Sequence, residues 1–187
     1  MRAWQRVVIA GLCAAAPAAW AGEGKRKRQP AEDAGWQTCP IPTNEELRAQ
    51  LGDERYAVVR QNGTEAPFRN PYWNNKRPGL YVDVITGEPL FSSTDKFDSK
   101  TGWPSFTQPV APDRVTTQTD ASHGMTRTEV HAGRSDAHLG HLFDDGPAPT
   151  KRRYCINSAA LKFIPVEDLE KEGYGEYLPL FQSSAKH

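Results

Sequence analysis

The chain is short of net charge, of cysteine and of long apolar runs, and each shortage removes a class of answers. Lys and Arg number 23 against 23 Asp and Glu, so the formal net charge is zero. No global field then draws the molecule onto nucleic acid or an anionic membrane, and neither is expected as a partner. There are three cysteines in 187 residues, too few for a disulfide-rich scaffold. No internal repeat divides the sequence. Its length suggests one domain able to bury a sizeable core, so the partner must be sought in a site.

The apolar run Val7 to Ala19 is too short to span a bilayer comfortably. Arg2 and Arg6 precede it, and Ala19-Trp20-Ala21 places small residues at the two positions a signal peptidase reads. Residues 1–21 therefore read as a signal peptide cleaved near Ala21, with a periplasmic or otherwise secreted address. Residues 22–41 read as a flexible N-terminal segment carrying Cys39, because Gly22 to Pro30 is charged and aperiodic. Cleavage leaves Cys39 and Cys155, and two thiols in an oxidising compartment invite a disulfide, either structural or cycling.

Thr43-Asn44-Glu45-Glu46 has the pattern of a capping box and predicts a helix to about Leu51, closed by Gly52; a second short helix restarts at Asp53 and ends near Asn62-Gly63. From Gly79 the apolar period changes to two. Leu80–Ile85, Glu88–Phe91, Val115–Thr119, Thr126–His131, His138–Phe143 and Tyr154–Phe163 are strand-like runs divided by Gly, Pro, Asp and Ser. No helical pattern of ten residues interrupts them, so βαβ units are absent and the sheets should be antiparallel. The expected fold is mainly β: two antiparallel sheets, as a β-sandwich or open barrel, with two short N-terminal helices. The main domain should cover 42–166, leaving 167–187 as a C-terminal tail with one helical turn or two.

The stretch His131 to Leu161 holds three of the five histidines, Cys155, and two arginines, Arg152 and Arg153, close to that thiol. A Cys between Tyr and Ile in an alternating run is ordinarily a buried strand residue. Nearby Arg or imidazolium, however, would lower its pKa and make it a nucleophile. Gly102-Trp103-Pro104-Ser105-Phe106 fixes an indole in a turn, which alone says little. With His138, His141, Phe143, Cys155 and Asn157 it suggests a pocket with aromatic walls, proton donors and a thiolate.

Taken together, Lys96-Phe-Asp-Ser, Gly102-Trp-Pro-Ser-Phe, Arg127-Thr-Glu-Val, His138-Leu-Gly-His-Leu-Phe-Asp-Asp-Gly-Pro and Arg153-Tyr-Cys-Ile-Asn-Ser-Ala-Ala-Leu resemble the signature blocks of the B-type methionine sulfoxide reductases. Thr64 to Phe68 and Asn44-Glu-Glu-Leu do too, so the likeness covers roughly Pro42 to Pro165 in the family's order. The resemblance implies reduction of methionine R-sulfoxide, with protein-bound substrate expected, and two antiparallel sheets as the platform. It makes Cys155 the nucleophile, gives His138 and His141 the supply of a proton or ordering of a water, and has Asn157 support that network. Trp103 and Phe143 would receive the substrate methyl, and Arg153 would help hold the thiolate. No cofactor is implied; a thioredoxin-like reductant is the implied partner, and a monomer is expected.

Two departures from the family pattern matter. Many members place a resolving Cys just before Gly-Trp-Pro, where this chain has Ser99-Lys100-Thr101. Cys39 is then the expected resolving thiol, forming a Cys39–Cys155 disulfide; the alternative is an inert Cys39 and direct attack of a reductant on a Cys155 sulfenic acid. Many members also bind zinc through two Cys-x-x-Cys pairs, where this chain has Asp83-Val-Ile-Thr86 and Ala132-Gly-Arg-Ser135. No zinc is expected there, the sheet being held by packing. Two rival readings differ in class. A metal site on His131, His138 and His141 is disfavoured because histidines three apart do not share a strand face by strict alternation and no carboxylate stands at a recognisable ligand spacing. A non-catalytic module for methionine-rich partners would leave Cys155 buried and inert to alkylation.

Overall fold

The structure is a computed structural model that describes residues 35–182. The expected signal peptide, its cleavage site and the charged stretch to Pro30 lie outside the described residues, as do residues 183–187. Within them, β1 (Gly79–Asp83), β2 (Pro89–Ser92), β3 (Lys96–Phe97), β4 (Ser105–Phe106), β5 (Val115–Asp120), β6 (Arg127–Ala132), β7 (His138–Phe143), β8 (Arg153–Ile156) and β9 (Leu161–Pro165) form two sheets. The smaller has the order β2-β1-β9 and the larger β3-β4-β8-β7-β6-β5. Every pairing is antiparallel, as the absence of βαβ patterns requires.

Strand β1 shows why there are two clusters of core side chains. All five of its residues are buried, which means that both faces are covered. Tyr81 points into the cluster that joins the sheets, with Phe91, Phe106, Leu139, Tyr154 and Ile156. Leu80 and Val82 point the other way, onto Trp36, Ile164, Leu169 and Tyr174. Residues expected as a tail thus supply buried side chains, and so does the segment carrying Cys39.

Helix α1 (Asn44–Arg60) begins with the expected box: the Thr43 hydroxyl accepts from the Glu46 N–H and the Glu46 carboxylate accepts from the Thr43 N–H. Gly52, at φ +77°, breaks it into two stretches that run on without an intervening loop. A left-handed residue there is open to glycine at little steric penalty. A four-residue α2 (Pro179–Gln182) ends the described chain.

One expected strand divides. The Tyr154–Phe163 run stops after Ile156, makes a tight 3-10 turn over Ser158–Ala160, and resumes as β9 in the other sheet. The cause is polar: Glu65 takes the N–H groups of Ser158 and Ala159, which a continuous strand would have used elsewhere. The two-residue strands β3 and β4 carried too short a pattern to be expected.

Candidate active site

Cys155 sits on β8 with β4 on one side and β7 on the other, directly opposite Ser105 and His141. Arg153 is two residues earlier and opposite Phe143. Alternation therefore puts Cys155, His141, Arg153 and Phe143 on one face. Gly140, diagonal to the thiol, is required: a Cβ there would lie 2.1 Å from the Cys155 carbonyl oxygen.

The thiol is half-buried. The Thr101 hydroxyl lies 3.9 Å from Sγ, and Ser99 links Thr101 and Ser105 at 2.8 and 2.7 Å. Burial pushes the Cys155 thiol above its ordinary value, although Arg153 and the Thr101 and Ser105 hydroxyls pull the other way. Burial thus opposes the thiolate that the resemblance implied. Arg153 cannot offset the burial, because Asp145 holds it in a two-pronged pair at 2.8 and 2.9 Å. Its guanidinium also stacks 4.3 Å from the Phe143 ring centre.

His138 and His141 do share a face, contrary to strict alternation. Along β6 and β7 the pairing steps from Val130↔Gly140 to His131↔His138, so Leu139 is an extra residue. Such a bulge twists the strand and re-aims the side chains that follow. The His138 and His141 rings come to 5.7 Å centre to centre, and His131 to 5.8 Å from His138. His141 Nε2 is 2.9 Å from Asp120 Oδ2; Asp120 stays an anion through hydrogen bonds from Ser122 and its pairing with His141 and Arg127. His138 is fully buried, and that burial depresses its pKa even though Glu129 opposes the shift.

Asn157 directs its side-chain hydrogen bonds to neither imidazole. Its amide donates to the Leu139 carbonyl at 3.1 Å, and its oxygen accepts from the Glu65 N–H at 3.2 Å. It therefore clamps the bulge. Glu65 emerges as an organising residue: its carbonyl accepts from the Trp103 indole N–H at 3.1 Å and its carboxylate caps the turn after Asn157. Phe68, in the same loop, is exposed and packs edge-on to Trp73. Nothing local in the sequence marks Glu65 for this work, since each of its partners is distant along the chain.

Cys39 is placed elsewhere. Arg134, in the β6–β7 turn, donates to the Trp36 and Cys39 carbonyls, beyond the His138 end of β7. His141, opposite Cys155, is about 10 Å further along that strand, whereas a disulfide needs Cα atoms within about 7 Å. Cys39 and Cys155 are half-buried thiols not bonded to each other.

The four positions matching the family's zinc ligands do not fit the ion. Ala132 has no donor atom, and the buried Asp83 carboxylate is already occupied by the Ile85 and Thr86 N–H groups and the Thr86 hydroxyl, with Ser135 also facing it. The place is spanned by a buried hydrogen-bond network, not by the packing alone that the sequence suggested.

A mainly-β protein of two open antiparallel sheets, with one cysteine between imidazole and hydroxyls on the larger sheet, is the class this geometry defines. The SelR domain family matches residues 51–165. The chain belongs to that family, the B-type methionine sulfoxide reductases. It is similar to a peptide methionine sulfoxide reductase MsrA/MsrB of Vibrio cholerae serotype O1, with 57% identity over 141 residues. That alignment covers 75% of this chain and 37% of the relative, so the chain spans well under half of that protein's length.

Proposed function

We propose that this chain reduces methionine R-sulfoxide in oxidised proteins to methionine, with Cys155 as the nucleophile. The observation that carries the reading is the placement of that thiol, on the central strand β8, opposite His141 and 3.9 Å from the Thr101 hydroxyl. In the first step the Cys155 sulfur attacks the sulfoxide sulfur, the S–O bond breaks and the oxygen ends on Cys155: a thiol and a sulfoxide become a sulfenic acid and a thioether. The oxygen leaves only if it is protonated. His141 is the imidazole beside the thiol; Asp120 holds its Nε2, which leaves Nδ1 for the substrate. His138 lies behind it, and Asn157 keeps both rings in place through the bulge. Trp103, fixed by Glu65, and Phe143, backed by Arg153, flank β8 from opposite sides and suit a methyl group. Because burial raises the pKa of the thiol, attack is expected to wait for substrate.

The second step is attack of the Cys39 thiol on the sulfenic acid, releasing water and forming a Cys39–Cys155 disulfide, which a thioredoxin-like dithiol reopens. It requires the segment around Cys39 to leave Arg134. A monomer, and a periplasmic or secreted address from the leader, complete the reading.

The decisive assay presents each methionine sulfoxide epimer separately with dithiothreitol. Turnover of the R epimer alone, lost in Cys155→Ser, supports the reading; equal use of both epimers, or turnover by the serine variant, overturns it. Disulfide mapping after one turnover without reductant tests the second step, which fails if Cys39→Ser recycles normally with a thioredoxin-type donor.

A further inference from the structure

Behind His141 lies a second constellation, of which His138 is a member. Glu129 and His131 stand two apart on β6 and so share a face, and His138 is the cross-strand partner of His131. Glu129 Oε1 is 2.6 Å from His138 Nδ1, Glu129 Oε2 is 3.3 Å from His131 Nε2, and the three donor atoms all fall within 4.8 Å of one another. All three residues are buried. Among the described residues neither nitrogen of His138 has an aligned hydrogen-bond partner: the Glu129 contact is close but badly angled, and Nε2 is equally unsatisfied. A buried imidazole left in that state is costly unless something accepts its lone pair.

The surroundings are arranged as ligand spheres usually are. His131 Nδ1 lies 3.0 Å from the Asp136 carboxylate, which fixes the tautomer that turns the Nε2 lone pair inward. The Gln118 amide, 2.7 Å from that Nε2 and 2.9 Å from Glu129 Oε2, stands ready as a further oxygen donor after rotation of its amide. Ligand atoms around a tetrahedral ion with bonds near 2.0–2.1 Å lie about 3.3 Å apart, so the 3.3 Å His131–Glu129 spacing already suits one, and the 2.6 Å His138–Glu129 contact needs to open by about 0.7 Å. Two imidazoles and a carboxylate select a borderline divalent ion over magnesium or calcium.

We propose that Glu129, His131 and His138 form an exchangeable site for one zinc-class divalent ion, distinct from the positions that carry structural zinc in many relatives, and that its occupation slows the reductase. The second half rests on the functional reading above: an ion on His138 immobilises that ring and sets a positive charge behind His141, 5.7 Å away ring to ring, where a proton must be given up. The first half does not depend on that reading; the sequence weighed His131, His138 and His141 and set them aside on strict alternation and for want of a carboxylate at ligand spacing, and the fold supplies a bulge and Glu129.

The test uses the full chain, washed with chelator and titrated with Co2+ alone, then with Zn2+ in competition. One equivalent of Co2+ should bind with d–d absorption typical of a four- or five-coordinate nitrogen and oxygen site, and Zn2+ should displace it. Glu129→Gln and His131→Gln should abolish the absorption while melting, without metal, close to the parent; Cys155→Ser and Cys39→Ser should keep it. Thiolate-to-cobalt charge transfer, unchanged binding in both the Glu129 and His131 variants, or affinity no tighter than about 1 mM overturns the site. Sulfoxide turnover should fall on Zn2+ loading in the parent and not in His131→Gln, whose metal-free activity should match the parent's. Binding without slowing overturns the regulatory half, and loss of all turnover without metal indicts the reductase reading instead.

Discussion

At Cys155 three influences compete: burial raises the thiol pKa, the Arg153 charge and two hydroxyls lower it, and Asp145 offsets much of what Arg153 supplies. Burial prevails, so iodoacetamide should label Cys155 slowly at neutral pH, with a rate that keeps rising through and beyond the ordinary thiol range. Asp145→Asn leaves the guanidinium charge unopposed and should speed labelling severalfold at a fixed pH, measured by mass spectrometry of the Cys155 peptide. Labelling of the parent that is already maximal at pH 7 contradicts the assignment. Burial acts on His138 with the opposite sign. Its folded pKa lies below the ordinary value of 6.5, so the unfolded chain gains a proton, as pH falls through that value, that the folded chain does not. The contribution to stability is present above it and lost below it. Melting temperatures from pH 7 down to about 5 should fall more steeply for the parent than for His138→Gln.

Among the elements, the bulged β7 governs the site. One inserted residue, Leu139, converts an alternation that would part His138 from His141 into a pair of facing rings, and Asn157 holds the Leu139 carbonyl. Asn157→Ala removes both side-chain hydrogen bonds; the Leu139 carbonyl keeps the backbone N–H of residue 157 at 2.8 Å, so the loss falls on the Glu65 N–H and should destabilise the fold by about 1–2 kcal/mol. It should also lower kcat while changing KM little, because Trp103 and Phe143 remain in place. A loss confined to KM would show that Asn157 contacts substrate and does not position the bulge. The capping box of α1 was plain in the sequence because it is local, four consecutive residues satisfying one another. The bulge was not, since its cause is a hydrogen bond between residues 18 apart.

Across the whole molecule, the Trp36–Cys39 segment is strapped over the β6–β7 turn by Arg134 and anchored by Trp36 in the cluster beneath β1. If Cys39 resolves the sulfenic acid, this strap must open once per turnover. Arg134→Ala should therefore accelerate Cys39–Cys155 disulfide formation in single-turnover quench experiments and leave the rate of methionine release unchanged. A slower disulfide step in that variant would mean that the strap delivers Cys39 instead of restraining it. The same part of the fold shows what stands at the four zinc-ligand positions: Asp83 and Thr86 close the β1–β2 turn on themselves, and Glu88 ties it to the β6–β7 turn by accepting from the Arg134 N–H at 3.0 Å.

The sequence by itself determined the class of fold, the ends of α1 and most strand cores, because capping, period-two burial and turn residues act over a few neighbours. Its motif blocks also pointed to the strands β7 and β8, on which His141 and Cys155 stand opposite one another. Only the tertiary structure decided the burial that raises the pKa of Cys155, the facing of His138 and His141, the standing of Glu65 and Glu129, and the placing of Cys39 beside Arg134. Each of those depends on burial or on a hydrogen bond between strands and loops far apart in the chain, and no local pattern records what a residue will meet across a sheet.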